Sequence, residues 1–323
     1  MSLSQPRTLS VALAQIAPVL LDRDRTLAKV AARVREAAAA GARLVTFGEC
    51  LVPGYPVWLS RTDGARFDAA DQKELHALYL DQAVTIEDGH LDELRDIARS
   101  SGITVVLGIL ERPLDRGGKS AYASCVTILD DGRVGSVHRK LMPTYEERLS
   151  WSPGDGAGLV THRLGAFTLG SLNCWENWMP LARVALHAAG EDLHVALWPG
   201  AQRNTRDITR FLALEARSFV LSVSGLLRPQ DIPEDVPSRA RIVGDDEAFL
   251  CDGGSAVAGP DGEWILEPVV GREALELLTL DHTRVLEERQ NFDPSGHYSR
   301  PEVLRLEVDR RRQAVAGWRE EGA

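Results

Sequence analysis

Short apolar runs alternate with amphipathic stretches of helical period along most of this chain, and that alternation restricts it to an α/β architecture. Residues 9–15 form a brief apolar run bounded by polar positions, as a buried strand requires. Over 22–40, Leu27, Val30, Ala31, Val34 and Ala38 recur on one helical face, with Asp22 or Asp24 placed to cap the start and Gly41 to end it. Residues 44–47 read as the next strand. A second helix carries Leu91, Leu94, Ala98 and Ser101 and closes at Gly102, before an apolar strand over 103–110. Strands over 121–129 and 133–138 flank Asp130-Asp131-Gly132, a strong hairpin signal. A strand over 167–172 runs into Asn173-Cys174, and the helix after it sets Leu181, Val184, Ala185 and Ala188 on one face up to Gly190. Residues 193–197 form a strand ending at Trp198-Pro199-Gly200, followed by a helix over 207–218 and a strand over 220–224. The proline-bearing stretch 228–247 reads as an excursion loop. Strands resume at 255–258 and 263–266 around the Pro260-Asp261-Gly262 turn.

Helices alternating with strands and mixed with hairpins predict mixed sheets. No composition break divides them, so the expectation is one domain over 1–304 with an arginine-rich tail over 305–323, either disordered or a subunit contact.

The chain has 37 basic and 47 acidic residues, a formal charge of -10, which disfavours nucleic-acid or acidic-membrane partners. No stretch approaches a membrane-spanning length, and the N-terminus does not read as a signal peptide. The four cysteines, Cys50, Cys125, Cys174 and Cys251, show neither C-x-x-C spacing nor a zinc-type cluster with histidine. Free thiols in a reducing cytoplasm are the expectation, with no metal and no organic cofactor.

Three reactive side chains follow predicted strands: Glu49 after 44–47, Lys140 after the hairpin, and Cys174 at a strand-to-helix turn. Strand ends are where α/β folds usually build ligand sites. A thiol at a helix start is expected to have a lowered pKa, and the turn's N–H groups can receive an oxyanion. A glutamate can take the thiol proton and a lysine can stabilise developing charge, which together suffice for acyl transfer through a thioester. Isolated cysteines are ordinarily inert packing, and Cys50, Cys125 and Cys251 take that reading.

The segments around those residues resemble the nitrilase superfamily. Thr46-Phe47-Gly48-Glu49-Cys50-Leu51-Val52-Pro53-Gly54-Tyr55-Pro56 is similar to the family's glutamate motif. His138-Arg139-Lys140-Leu141-Met142-Pro143-Thr144, continuing to Glu147-Arg148-Leu149, is similar to its lysine motif. Leu172-Asn173-Cys174-Trp175-Glu176-Asn177-Trp178-Met179-Pro180-Leu181 is similar to its nucleophile motif. Trp175-Glu176 after the cysteine, and the stretch from Asp293 to Pro301, resemble true nitrilases more than amidases. Tyr145 and Trp178 depart from the usual residues, which puts the size of the substrate pocket in question.

The resemblance implies an αββα sandwich with helices outside, pairing into a homodimer or larger homo-oligomer. It implies Cys174 as nucleophile, Glu49 as general base, and Lys140 with the Trp175 N–H as stabilisers of the tetrahedral species. Glu147 would position lysine and substrate, and Asn173 and Glu176 would support the nucleophile turn. Tyr55, Trp175, Trp198 and Pro199 are the expected pocket residues. Bottom-up, Glu215 is expected in an ion pair with Arg217 or a partner subunit. The implied reaction converts a nitrile and water to acid and ammonia. An amidase, a cyanide-hydrolysing enzyme and a catalytically silent scaffold are the alternatives.

Overall fold

The computed structural model describes residues 7–244 and 247–316. Its strands are β1 (Thr8–Gln15), β2 (Leu44–Phe47), β3 (Thr104–Glu111), β4 (Tyr122–Ile128), β5 (Val134–Arg139), β6 (His162–Leu164) and β7 (Phe167–Asn173). They continue as β8 (Leu193–Trp198), β9 (Phe219–Ser224), β10 (Leu226–Leu227), β11 (Cys251–Ala258), β12 (Trp264–Val270) and β13 (Ala274–Asp281).

The first sheet has the order β13-β1-β2-β3-β4-β5, parallel at its centre and antiparallel at both flanks. The second runs β10-β11-β9-β8-β7-β6, with β12 on β11 and a parallel β7-β8-β9 centre.

Strand alternation assigns the layers. On β1, Leu9, Val11 and Leu13 face the second sheet and meet Leu193, Val195 and Leu221, while Ala12 and Ala14 face Val30 and Val34 of the Arg23–Ala39 helix. The second sheet's other face is covered by the Pro180–Ala188 and Ile208–Ala216 helices through Leu186 and Leu212. The result is the expected helix–sheet–sheet–helix sandwich.

Local signals act as read. The Asp22 side chain accepts from the Arg25 N–H at 2.9 Å, a cap worth about 1 kcal/mol. Gly102 ends the Asp92–Ser101 helix in the left-handed conformation.

Three features depart from expectation. The Pro180–Ala188 helix buries Ala182, Ala185 and Leu186, so Leu181, Val184 and Ala188 face outward. A 3-10 turn over Cys174–Trp178 separates β7 from this helix and sets its rotation. Glu215 pairs not with Arg217 but bidentately with Arg183, at 2.5 and 2.8 Å, because Arg217 reaches Glu288. The tail over 305–316 lies on the body: Leu306 and Val308 pack on the Leu172–Leu186 cluster, and Arg312 holds Asp155 at 2.9 Å. Residues 317–323 of that expected tail lie outside the described residues.

The short β2 leaves its sheet through Gly48-Glu49-Cys50, which presses against β3. A Cβ on Gly108 would lie 2.2 Å from the Gly48 carbonyl oxygen and 2.7 Å from the Glu49 Cα. Gly108→Ala should therefore lose roughly 1–3 kcal/mol of stability and turn over more slowly, because the turn carrying Glu49 must shift. Denaturant unfolding with initial rates checks this; parental values in both would contradict it.

Candidate active site

β2 and β5 run in the same sense within the first sheet, and their C-terminal ends, with that of β7 in the second, deliver Glu49, Lys140 and Cys174 to one place. The Glu49 N–H donates to the carbonyl of Trp198 at the end of β8, 3.0 Å away, so a backbone bond between the sheets holds the glutamate turn.

Lys140 is fully buried. Its Nζ donates to Glu49 Oε1 at 2.8 Å and to Glu147 Oε2 at 2.7 Å. Glu147 is held further by the Thr144 N–H at 2.6 Å and the Tyr55 hydroxyl at 2.8 Å. Carboxylate oxygens of Glu49 and Glu147 and the Cys174 sulfur lie within 4.8 Å of one another. That spacing suits a cation, and the Lys140 ammonium supplies one. Glu49 Oε2 has no hydrogen-bond partner among the described residues, leaving it free to receive a proton.

Cys174 opens the 3-10 turn with a left-handed φ of 50°, a strained position that only a well-supported turn maintains. The backbone N–H of Trp175 favours its thiolate. Glu176 anchors the turn to the lysine strand: its carboxylate accepts from the Asn173 N–H (2.9 Å), the Leu141 N–H (2.6 Å) and His138 Nε2 (3.0 Å). Those partners flank Cys174 and Lys140 in sequence, so one buried carboxylate sets the spacing between them. On the other side, Asn177 Nδ2 donates to the Cys174 carbonyl at 2.8 Å, while its Oδ1 accepts from His194 at 2.7 Å.

The expected lowering of the thiol pKa is overturned. Burial and the neighbouring Glu49 charge push the Cys174 thiol well above its ordinary value, outweighing Lys140 and the Trp175 N–H. A five-residue 3-10 turn has too little dipole to reverse this. Glu49 is raised to about 7, by burial first and by the Glu147 charge second, against the pull of Lys140. Burial alone would lower Lys140, but Cys174 and the two carboxylates outweigh it and hold the ammonium charged. The resting pair is thus a thiol beside a carboxylate that titrates near neutrality, which suits proton transfer.

The cluster opens into a cavity of about 440 Å³ whose walls include Tyr55, Thr144, Glu147, Cys174, Trp175 and Pro199. Trp198 is the pocket residue the structure places elsewhere: its indole is fully buried behind the sheet and donates to Ser222 Oγ at 3.3 Å. Strand alternation turns it away from the cavity, and only its carbonyl serves the site. Neither Tyr145 nor Trp178 reshapes this cavity; Tyr145 is exposed, and Trp178 stacks on Phe211 at 6.2 Å outside it. Arg61, Arg203 and Cys251 also line the cavity and escaped sequence reading. Of these only Arg203 carried a signal, a charged residue just past the Trp198-Pro199 loop.

The family model for carbon-nitrogen hydrolases matches residues 10–288, so the chain belongs to that family. Within it the chain stands on the nitrilase branch. It is 33% identical to an aliphatic nitrilase of Rhodococcus rhodochrous, over 93% of this chain and 79% of that one. It is 34% identical to an aliphatic nitrilase of Sinorhizobium fredii (strain HH103), over 92% and 94% respectively. A carbon-nitrogen hydrolase from Helicobacter pylori G27 shares the fold, with a TM-score of 0.68 at 18% identity over 92% of this chain and 99% of that one.

Glu49 must be ionised to accept the thiol proton, so kcat/KM should rise with pH through about 7. Glu147→Gln removes a charge that holds the Glu49 pKa up and leaves Lys140 to Glu49 alone; both effects lower it. The rising limb of the residual activity should move to lower pH. A limb that stays or moves upward would contradict this electrostatic account.

Proposed function

We propose that this protein hydrolyses an organic nitrile to its carboxylic acid and ammonia through covalent intermediates on Cys174. The observation that carries this reading is the buried Glu49–Lys140–Glu147–Cys174 cluster, of which Glu147 and Cys174 line a cavity large enough for an organic substrate. Glu49 takes the thiol proton as sulfur attacks the nitrile carbon, and the nitrogen receives that proton to give a thioimidate. Water adds, with Lys140 and the Trp175 N–H stabilising the developing charge, and ammonia leaves a thioester. A second water, deprotonated by Glu49, releases the acid and restores the thiol.

An amidase would use the same residues on a carboxamide; kinship with nitrilases at 33–34% identity favours the nitrile. A cyanide ion has two atoms and would leave most of the 440 Å³ empty. The intact reactive cluster speaks against a silent scaffold.

The working unit in this reading is a homodimer or larger homo-oligomer. Trp178, Leu181, Val184, Phe211 and Leu214 stand exposed on the outward faces of the Pro180–Ala188 and Ile208–Ala216 helices and the turn before them, and the Trp178–Phe211 stack joins the two helices. A second copy meeting this patch about a two-fold axis buries apolar surface on both sides. Residues 1–304 act as the hydrolase domain and 305–323 as its tail, of which 305–316 pack on the body. The enzyme works in the cytoplasm on small molecules and water, without nucleic acid, membrane, metal or cofactor; its four cysteines, all free and buried, suit a reducing compartment. Among the described residues no helix is long and apolar enough to cross a membrane.

Ammonia release from a panel of nitriles and their matching amides, beside Cys174→Ala, tests the reaction. The expected result is ammonia from nitriles and none from the folded variant, while ammonia from amides alone would overturn the nitrile reading. Trp178→Glu should shift the mass in solution toward the monomer; an unchanged mass would remove this patch as the subunit contact.

A further inference from the structure

Beside the cavity above Cys174 lies a second one of about 360 Å³, and the two share Gly200, Ala201, Arg203 and Leu250 as wall. A substrate with its nitrile carbon at Cys174 and a chain that reaches from the first cavity to the second runs along the wall that Arg203 shares. Among the described residues this guanidinium has no hydrogen-bond or ion-pair partner, unlike most arginines of the chain, which pair with neighbouring carboxylates or carbonyls. Arg61 stands on the same wall, held by the Ile242 carbonyl at 3.2 Å and by Glu247. Burial and the Asp252 charge push up the thiol of Cys251, a wall residue of the first cavity, and both guanidinium charges act on it in the opposite sense.

The acidic groups of the two cavities are differently disposed. Glu147 is paired with Lys140, and Asp252 accepts the Gln202 N–H at 3.2 Å. Glu146 lines the first cavity only, so it does not meet a substrate end that extends past it. The group waiting at the junction is a planar guanidinium fork with unused donors, whose best complement is a carboxylate.

We infer that the substrate is a nitrile whose far end carries a carboxylate, bound at the junction of the two cavities by Arg203; this rests on the nitrile-hydrolase reading above. Arg203 is then a specificity-determining residue. It reads the end of the substrate opposite the reacting carbon and takes no part in bond making.

The test compares aliphatic nitriles of matched length ending in a carboxylate, a methyl ester or an ammonium, with kcat/KM read from ammonia release. The parent enzyme should prefer the carboxylate over the ester by about tenfold, as a charge-assisted hydrogen bond allows, and the preference should shrink as ionic strength rises. Arg203→Gln should bring that ratio close to unity, Arg203→Lys should retain part of it, and Arg203→Glu should turn the preference toward the ammonium. Equal turnover of carboxylate and ester by the parent, a parental preference for the ammonium, or a ratio unmoved in Arg203→Gln would overturn the inference while leaving nitrile hydrolysis intact. Ammonia from none of the three nitriles would overturn both readings together.

Discussion

A lysine ammonium with no solvent exposure lies between two carboxylates at 2.7 and 2.8 Å, and the chemistry of this protein is arranged around that contact. One cation against two anions leaves the cluster short of positive charge. Burial and that imbalance raise Glu49 to about 7 and keep the neighbouring thiol protonated. Removing Lys140 would strand both carboxylates in the interior, a loss of about 3–5 kcal/mol for a broken buried pair, so the same residue serves fold and reaction. The aromatic wall behind it fits this demand: the Trp151 ring lies 5.4 Å from Nζ, and Tyr55 meets that ring edge-on while donating to Glu147.

The cluster needs its three strand ends held at fixed spacing, and two kinds of tie do this. Between the sheets, the Trp198 carbonyl receives the Glu49 N–H and the Gly225 N–H, drawing the end of β8 against the turn after β2. Between the lysine strand and the nucleophile turn, Glu176 gathers donors from His138, Leu141 and Asn173. Burial would raise the Glu176 carboxyl, yet His138 Nε2 and these N–H groups, all donating to it, outweigh it and hold it below the usual carboxylate range. It therefore stays ionised and grips its donors. Glu49 and Glu176 show how position divides two buried glutamates: one has a free oxygen and titrates near neutrality, the other is saturated and inert.

Much of this was legible in the chain itself. Period-3.6 apolar spacing with Asp22 and Gly102 as stops marked two helices, and Asp130-Asp131-Gly132 marked the turn between β4 and β5. Local patterning carries that information. The motif around Lys140 also pointed to Glu147, seven residues on. The face of the Pro180–Ala188 helix was misjudged because both of its sides are apolar: one meets the sheet and the other forms the outward patch with Phe211. The thiol's pKa was misjudged because a turn at a helix start is visible in sequence, whereas complete burial beside two carboxylates is not. Trp198 was expected in the pocket from the loop it begins, but it is still the last residue of β8, and strand alternation points its ring into the interior. Arg61 and Arg203 come from segments far apart in the chain, and only the folded loops bring them to one wall.

Four buried thiols distinguish chemistry from packing in this protein. Cys50, Cys125 and Cys251 are raised by burial much as Cys174 is, but among the described residues only Cys174 combines a left-handed turn with two carboxylates within 4.8 Å of its sulfur. The most direct measurement of that claim is peptide mapping by mass spectrometry of enzyme quenched in acid during nitrile turnover. The account predicts the acyl group of the product acid, as thioester or thioimidate, on the peptide holding Cys174 and on no other cysteine peptide. An adduct on Cys50, Cys125 or Cys251, with the Cys174 peptide unmodified, would contradict it.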